Sequence, residues 1–253
     1  RRLLEVQPDR VFLILHGRGG EDGRIQGLLE SLGIPYTGSG VLGSALSMDK
    51  RRAKQIWQAV GLPTPIYEVV TNRAALDAAV ARIGLPVFVK PVREGSSVGA
   101  TPVRRADQLD TAWHAAAAAD AEVLVEKLIE GHEYTVAILG GRALPVIRLE
   151  PCRDFYDYEA KYADDAGTRY HCPCGLSADE EAHIQSLCLQ AFEALDGRGW
   201  GRVDLMRGED GRVWLLELNT APGMTGHSLV PMAAARIGLS FEELVLQITE
   251  STL

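Results

Sequence analysis

Hydrophobic and polar positions along this 253-residue chain repeat with periods that change from segment to segment. Near the start, VFLILH at residues 11–16 is an almost continuous apolar run, which is typical of a parallel strand covered on both faces. The glycine-rich stretch GRGGEDG and a following apolar-periodic segment predict a turn and then a helix. Together these features indicate one strand–loop–helix unit of an open α/β sheet.

Four later segments show the three-to-four-residue spacing of helices with one buried face. They predict helices from about 47 to 60, 73 to 83 and 106 to 119, and another around residues 184–195. The first should bury Trp57 and Val60. The last has the clearest pattern, and its predicted apolar face consists of Ile184, Leu187, Cys188, Ala191, Phe192 and Leu195.

Short apolar segments between these helices predict strands. PVFVK and EVLVEKLI, with the helices around them, indicate a compact α+β domain from about residue 47 to 130. YTVAILGG and ALPVIRLEP follow, and WGRVDLM and RVWLLELN close the core as a hairpin. The sequence therefore predicts an α/β (α+β) protein, with a partial parallel-sheet unit at its beginning.

The last strand has an unusual polar end. Val213, Leu215, Glu217 and Asn219 should share one face, because side chains alternate along a strand. We therefore expect an acid and an amide to continue an apolar row.

The hairpin turn predicts which residues face these two. Asp210-Gly211 is the strongest two-residue hairpin signal. If it forms the turn, Asp204 lies opposite Glu217, and Arg202 lies opposite Asn219. Facing β-carbons lie about 5 Å apart, so two carboxylates there repel by roughly 3 kcal/mol at an effective dielectric of 20.

Three interpretations of this carboxylate pair remain open. Arg202 could neutralise the pair, or one acid could stay protonated. Alternatively, Asp204, Glu217 and Asn219 form an all-oxygen ligand set, which suits Mg²⁺ or Mn²⁺ carrying phosphates. We favour the metal interpretation, which implies a nucleotide.

The nucleotide would bind without a familiar phosphate loop. The chain contains neither G-x-G-x-x-G nor G-x-x-x-x-G-K-[ST]. Lys90 instead ends an apolar strand, and the Gly/Ser-rich residues 93–99 follow it, where backbone N–H groups could close over phosphates. Lys90 could also be a solvated strand end, as could Glu126 and Lys127.

Composition limits the partners and the compartment. The net charge of -8 argues against a nucleic-acid surface. No apolar run approaches the roughly 20 residues of a membrane helix, and no signal peptide is recognisable. The four cysteines form no disulfide or zinc pattern, so we expect reduced thiols in a cytoplasmic protein.

Several long motifs resemble one family. KPVREGSSVG, EKLIEGHEYTVAIL, FYDYEAKY, GWGRVDLM and LLELNTAPGMTGHSLVP are similar to those of the D-alanine–D-alanine ligases in the ATP-grasp superfamily. The resemblance runs from HGRGGEDG at His16 to the C-terminus. It implies an ATP-grasp fold and an enzyme that joins two D-alanine molecules through an acyl phosphate, for peptidoglycan synthesis.

The resemblance also implies three domains and a way to bind ATP. The domains would be residues 1–44, the remainder of an N-terminal substrate domain, then 45–130 and 131–253, which hold ATP between them. Lys50 and Lys90 resemble lysines that contact phosphates. The remaining nucleotide contacts would be Glu126, Lys127 and Ile129 at adenine and Glu133 at ribose, and two Mg²⁺ or Mn²⁺ ions would bind Asp204, Glu217 and Asn219.

Further positions resemble catalytic and substrate-binding residues of the family. Arg202 and the backbone N–H of Gly223 resemble an oxyanion hole, and Ser96 resembles a serine that orients the mobile loop. Ser228 and Leu229 match a contact to the second D-alanine. His16 resembles a histidine near the first substrate, and Lys161 and Tyr162 resemble a lid over the phosphates and second substrate. A homodimer is also implied.

One departure from the family concerns the start. Nothing here matches the family's first strand, with its glycine-rich turn and a Glu that binds the first D-alanine's amine. The chain begins with Arg and reaches VFLILH almost at once. We therefore expect that the beginning of the first domain is missing. Two alternatives stay open: a relative that joins D-alanine to D-lactate or D-serine, and an ATP-binding module without catalysis.

Overall fold

The computed structural model describes residues 2–95, 97–151 and 168–252. None of the helices within these ranges is long and apolar enough to cross a membrane. The helices are α1 (Arg2–Val6), α2 (Arg24–Ser31), α3 (Val41–Met48), α4 (Lys50–Ala59), α5 (Arg73–Ile83), a 3-10 turn (Ala106–Gln108), α6 (Leu109–Ala119), α7 (Ala178–Ala194), α8 (Leu229–Arg236) and α9 (Phe241–Glu250). The strands are β1 (Tyr67–Val70), β2 (Val87–Pro91), β3 (Thr101–Val103), β4 (Val123–Lys127), β5 (Gly131–Leu139), β6 (Arg142–Ala143), β7 (Ile147–Glu150), β8 (Arg169–His171), β9 (Trp200–Gly208) and β10 (Val213–Asn219).

The first sheet has four antiparallel strands in the order β1-β4-β2-β3. Val87, Val89 and Val125 belong to the core that this sheet forms with α5 and α6. α5 begins at the predicted residue, because the side chain of Asn72 accepts a hydrogen bond from the N–H of Ala75. The predicted helix at 106–119 is the 3-10 turn followed by α6, so both helices are confirmed.

The second sheet has the order β10-β9-β5-β7-β8, with the short β6 beside β5. Its pairings are antiparallel. α7 packs against it and begins at a capping box, in which Ser177 and Glu180 accept hydrogen bonds from each other's backbone N–H groups. The predicted apolar face is confirmed, since all six residues are buried: Ile184, Leu187, Cys188, Ala191, Phe192 and Leu195.

The helix predicted from about 47 to 60 ends as expected, but its predicted start is wrong. α3 and α4 meet at Asp49, whose backbone is extended (φ -92°, ψ 96°) and whose carboxylate accepts from the N–H of Arg52 at 3.0 Å. An Asp in this position caps a new helix, so α4 starts at Lys50. Trp57 is fully buried as predicted, but Val60 follows the last helical turn and is 58% exposed.

The strand predicted at residues 11–16 is also wrong. Within the described residues, this segment forms one isolated parallel bridge, between Val11 and Tyr36. The N–H of Leu13 then donates to the hydroxyl of Thr37 at 2.9 Å, rather than to a neighbouring strand. Leu15 is 54% exposed, so the run is not covered on both faces. An apolar run is insufficient for a strand, because a ladder also needs a paired neighbour.

Candidate active site

A cavity of about 500 Å³ lies between the two sheets. This volume falls within the range of small-molecule sites. Residues from both sheets, from the start of α4 and from the β4–β5 connection line it. Eight residues with a role predicted from the sequence are among them, namely Lys50, Lys90, Glu126, Lys127, Ile129, Glu133, Asp204 and Glu217.

Two lysines give this cavity a cationic wall. Lys50 Nζ donates to the carbonyl oxygen of Glu94 at 2.5 Å and lies 3.2 Å from the carboxylate of Glu217. Lys90 Nζ lies 2.5 Å from the carboxylate of Glu126. Both lysines are only 8% exposed, so solvent and salt screen their charges weakly. The wall therefore suits a multiply charged anion such as a polyphosphate.

Glu126 connects this wall to a buried lysine without a predicted role. Its carboxylate lies 2.5 Å from Lys90 Nζ and 2.7 Å from Lys54 Nζ. Burial alone would raise the pKa of Glu126, but the charges of Lys54 and Lys90 lower it below its usual range. A sequence signal for Lys54 did exist: it lies four residues after Lys50 and three before Trp57, on the buried face of α4.

The end of β4, the β4–β5 connection and the start of β5 contribute, in that order, Lys127, Ile129 and Glu133 to the cavity. The ammonium of Lys127 donates to the carbonyl oxygens of Gly84 and Leu85, each at 3.1 Å. These bonds fasten the connection to the C-terminal end of α5. The ammonium of Lys127 is therefore already bound by the protein itself.

The opposite wall comes from the β9–β10 hairpin. Asp204 lies opposite Glu217 and Arg202 lies opposite Asn219, so the predicted pairs are confirmed. These residues come together from the two strands in the part of the hairpin that lies away from its turn.

The turn behind this pairing differs from the prediction. The loop contains three residues, 209–211, with Gly211 at φ 79°, and the N–H of Gly208 donates to the carbonyl oxygen of Arg212 at 2.9 Å. A three-residue loop alone would shift every pair by one residue. A β-bulge between Leu215 and Glu217 shifts the register back. The predicted pairs are therefore correct although the predicted turn is wrong.

The bulge also overturns the predicted face of β10. Val213, Leu215 and Leu218 belong to the core, whereas Glu217 and Asn219 are partly exposed and outside it. The bulge adds one residue, so the alternation changes sides after Leu215. The acid and the amide thus do not continue the apolar row.

Cations and hydrogen-bond donors offset the carboxylate repulsion here. Arg202 donates to the two oxygens of Asp204 at 2.8 and 2.7 Å, Asn219 Nδ2 donates at 2.9 Å and Thr135 Oγ1 donates at 2.6 Å. Lys50 lies beside Glu217 at 3.2 Å. One of the alternative interpretations therefore applies to Asp204, since Arg202 neutralises it.

The same residues are chemically suited to a divalent metal. Asp204, Glu217 and Asn219 all carry side-chain oxygens, which Mg²⁺ and Mn²⁺ prefer. Across residues 2–95, 97–151 and 168–252, no cluster of three His, Cys, Asp or Glu side chains has a metal-binding arrangement. A three-ligand site would therefore need the amide oxygen of Asn219. The metal assignment stays a prediction.

A short loop after β10 brings Gly223 and Ser228 together. A β-carbon at Gly223 would lie 3.0 Å from Ser228 Oγ, so the absence of a side chain allows this close approach. Ser228 Oγ also accepts a hydrogen bond from the N–H of Thr225 at 2.9 Å. Leu229 is buried at the start of α8 and anchors the loop to the core. The geometry places the backbone of Gly223 close to the hydroxyl of Ser228.

Glu21 is a site candidate that the sequence reasoning missed. Its carboxylate accepts from the N–H of Gly17 at 2.7 Å. Burial raises the pKa of Glu21 and the charge of Glu217 raises it further, while the Gly17 N–H and His16 oppose this shift. Glu21 therefore lies within electrostatic reach of both His16 and Glu217. Within GRGGEDG, Glu21 lies four residues after Gly17, and this spacing was the available sequence signal for their contact.

Three predicted site residues lie outside the described part of the chain. They are Ser96, Lys161 and Tyr162. Their predicted roles stay predictions.

Two family models match the chain. The model described as "D-ala D-ala ligase C-terminus" matches residues 56–250, and "D-ala D-ala ligase N-terminus" matches residues 3–39. The chain belongs to the D-alanine–D-alanine ligase family. One similar family member is the D-alanine–D-alanine ligase of Acinetobacter baumannii, which is 55% identical over 250 residues, or 98% of this chain and 81% of that protein.

Solved structures of the family have the same fold. The VanG D-Ala:D-Ser ligase from Enterococcus faecalis has a TM-score of 0.88 and 36% identity, covering 97% of this chain and 73% of that one. The D-alanine–D-alanine ligase from Bacillus anthracis complexed with ATP has a TM-score of 0.84 and 34% identity, covering 99% and 81%. The predicted ATP-grasp fold is confirmed.

Proposed function

We propose that this chain is an ATP-dependent ligase that joins two D-alanine molecules into D-alanyl-D-alanine and releases ADP and phosphate. The product would serve peptidoglycan synthesis. One observation carries the proposal: a single cavity joins the cationic wall of Lys50 and Lys90 to the facing carboxylates of Asp204 and Glu217. The A. baumannii ligase, 55% identical to this chain, supports the same activity.

ATP would bind between the two sheets. Lys50 and Lys90 would contact its phosphates, Glu126, Lys127 and Ile129 would hold adenine, and Glu133 would hold ribose. The division at residues 44 and 130 belongs to this proposal, and the change from one sheet to the other between β4 and β5 supports its second boundary.

The first step makes an acyl phosphate. A carboxylate oxygen of the first D-alanine attacks the terminal phosphorus of ATP, and the bond from that phosphorus to the ADP oxygen breaks. Lys50 and Lys90 balance the phosphate charge, and His16 lies toward the first substrate. When bound by Asp204, Glu217 and Asn219, Mg²⁺ or Mn²⁺ ions supply charge neutralisation at the phosphates. Ser96 would orient the loop that covers this site.

The second step forms the peptide bond. The amine of the second D-alanine attacks the acyl carbon, and the carbon–oxygen bond to phosphate then breaks as the amine loses its proton. Arg202 and the N–H of Gly223 would stabilise the oxyanion of the tetrahedral adduct. Asp204 holds the guanidinium of Arg202 in place through two hydrogen bonds, which fixes the geometry that this role needs.

The second D-alanine would be held next to this oxyanion site. Ser228 and Leu229 would contact its carboxylate, and the hydroxyl of Ser228 lies beside Gly223. Lys161 and Tyr162 would cover the phosphates and this substrate as a lid.

An assay of phosphate release tests the activity. With ATP, Mg²⁺ and D-alanine the chain should release phosphate and form D-alanyl-D-alanine, whereas L-alanine should give neither. ATP binding by calorimetry without D-alanine-dependent phosphate release would instead support the nucleotide-binding module.

The other candidate function uses a different acceptor in place of the second D-alanine. It is suggested by the similar structure from E. faecalis, which is named a D-Ala:D-Ser ligase. We infer that Tyr162 favours an amine acceptor. Tyr162→Phe removes one hydrogen bond, worth about 1 kcal/mol net, and should raise the ratio of D-lactate to D-alanine product. Competition between D-alanine, D-serine and D-lactate at equal concentrations measures this ratio. An unchanged ratio between pH 6 and 9 would exclude the role of Tyr162.

A cytoplasmic location and a homodimer belong to the same proposal by resemblance to the family. The location agrees with the use of ATP. Sedimentation of the purified chain tests the dimer.

A further inference from the structure

Lys54 is a fully buried cation at the junction of the two sheets. Its Nζ donates to Thr64 Oγ1 at 2.6 Å and lies 2.7 Å from the carboxylate of Glu126 on β4. Thr64 Oγ1 in turn donates to the carbonyl oxygen of Leu215 on β10 at 2.9 Å. The ring centroid of Tyr67 lies 5.6 Å from the ammonium. These partners hold Lys54 behind the cavity wall, since it does not line the cavity itself.

The charges around Glu126 show what Lys54 changes. Lys90 faces the cavity and contacts one carboxylate oxygen of Glu126, while Lys54 contacts the other. A pair of Lys90 and Glu126 alone would be neutral and would attract phosphates weakly. With Lys54 the buried group has one positive charge in excess. Lys50 adds nothing to this excess, because Glu217 lies beside it.

We propose that Lys54 is a positioning residue for the phosphate-binding lysine. By holding one oxygen of Glu126, it weakens the grip of Glu126 on Lys90 and leaves the ammonium of Lys90 available to an anion. Lys54 acts through Glu126 and does not touch the ligand. This inference rests on the proposed function, because it takes the anion to be the phosphate chain of ATP.

The protonation of Lys54 supports this role. Burial lowers the pKa of Lys54 to about 8, the charge of Glu126 opposes the shift, and Lys90 and Lys50 add to it. Tyr67 faces it with a ring and Thr64 with a hydroxyl. As pH rises through about 8, Lys54 loses its proton, and the excess charge of the group disappears. ATP affinity should therefore fall between pH 7.5 and 9.

Lys54→Met tests the inference with Arg52→Met as its control. Arg52 lies on the exposed side of the same helix and has the same charge. Calorimetry at pH 7.5 should give an ATP Kd about 10-fold higher for Lys54→Met and unchanged for Arg52→Met. Inorganic tripolyphosphate, which has no adenine, should lose the same factor. The rise of Kd between pH 7.5 and 9 should be present in the wild type and absent in Lys54→Met.

A second background tests whether the effect passes through Glu126. In Glu126→Gln chains, Lys54→Met should change the ATP Kd less than about 3-fold, because Lys90 is no longer held by a carboxylate. A 10-fold loss there would overturn the inference, as would a loss for ATP without one for tripolyphosphate. If the wild type binds no ATP, the proposed function fails. If the wild type binds ATP and Lys54→Met binds it equally well, only this inference fails.

The wild-type pH profile and Thr64 carry the test if Lys54→Met does not fold. Thr64→Val removes the hydroxyl that accepts from charged Lys54, so the rise in ATP Kd should move to lower pH. Thr64→Ser keeps a hydroxyl and should leave the profile in place. A wild-type Kd that does not change between pH 7.5 and 9 would overturn the inference.

Discussion

The two walls of the cavity both place a carboxylate among cations, but by different means. On the first sheet, Glu126 lies between Lys54 and Lys90, two separate ammonium groups on different elements. On the second sheet, Asp204 accepts bidentate hydrogen bonds from the guanidinium of Arg202 and one hydrogen bond from the hydroxyl of Thr135. Together with Lys54 behind it, the first wall has more cations than acids. The second has one more acid than cation, because Glu217 lies beside Asp204.

This difference follows from the chemistry of lysine and arginine. A lysine ammonium is a compact charge on a flexible stem, whereas the planar fork of arginine fixes the carboxylate that it binds. The cationic wall can therefore follow an anion that moves or changes during the reaction. On the opposite wall, Arg202 sets the directions of the Asp204 oxygens, which a metal site needs. The contrast supports the proposed assignment of phosphate to one wall and metal to the other.

The largest expected effect comes from Glu217 on the acidic wall. Glu217→Gln should lower ATP-dependent turnover by about 10²-fold or more, because metal ions contribute several kcal/mol at the phosphates. The fold should survive, because the change also relieves repulsion between two carboxylates. Phosphate release at limiting Mg²⁺ measures the effect, and Glu193→Gln on the exposed side of α7 is the control. Near-normal turnover of Glu217→Gln would refute the metal assignment.

Thr135 tests how firmly the acidic wall is held. Thr135→Val keeps the shape of a buried residue but removes the hydroxyl that donates to Asp204 at 2.6 Å. A hydrogen bond to a charged group is worth about 1.5–3 kcal/mol, so the free energy of unfolding should fall by that amount. Urea denaturation measures it. Thr135→Ser should retain most of the stability, and equal losses for both variants would point to packing.

The pH dependence of stability tests the buried Lys54 behind the first wall. The pKa of Lys54 is lowered from 10.5 to about 8, so the unfolded state binds more protons between these values. Its contribution to the free energy of unfolding should therefore rise with pH, by about 2 kcal/mol from pH 8 to 9.5. The raised pKa of Cys188 acts oppositely but is common to wild type and Lys54→Met. The difference in free energy of unfolding between the wild type and Lys54→Met should therefore change by this amount in favour of the wild type. A difference that does not change with pH would contradict the prediction.

The smallest effect concerns the turn that joins the two strands of the acidic wall. Gly211 has φ 79°, a left-handed conformation that costs other residues about 1–2 kcal/mol. Gly211→Ala should lower the free energy of unfolding by roughly 1 kcal/mol. Gly27→Ala, within α2 and in ordinary contact with Val41, should instead raise it slightly. Equal signs for the two changes in urea denaturation would refute the turn geometry.

Local patterns predicted the regular elements best. The apolar face of α7 and the start of α5 follow from spacing and capping, which depend on neighbours within a few residues. The strand at 11–16 failed because its hydrogen bonds depend on distant partners. The break at Asp49 carried a capping signal that the helical spacing outweighed.

The site was predicted through its pairs rather than through its surroundings. Asp204 and Glu217 face each other as expected. The prediction made the loop one residue too short and omitted the bulge, and these two register errors of one residue cancel. Periodicity does not reveal a bulge, so the strand face predicted for Glu217 was wrong. The spacing of Lys54 from Lys50 and Trp57 indicated the buried face of α4, but the ion pair that keeps a lysine there depends on Glu126, which is far away in sequence.

Calorimetry of ATP binding with Mg²⁺ and with a chelator tests the division between the walls most directly. Lys90→Met should weaken ATP binding about 10-fold or more in both conditions, because it removes a charge that faces the phosphates. Glu217→Gln should weaken binding with Mg²⁺ but leave it unchanged or tighter with the chelator, because it removes a negative charge near metal-free ATP. Equal losses for Glu217→Gln in both conditions would contradict the assignment of phosphate to one wall and metal to the other.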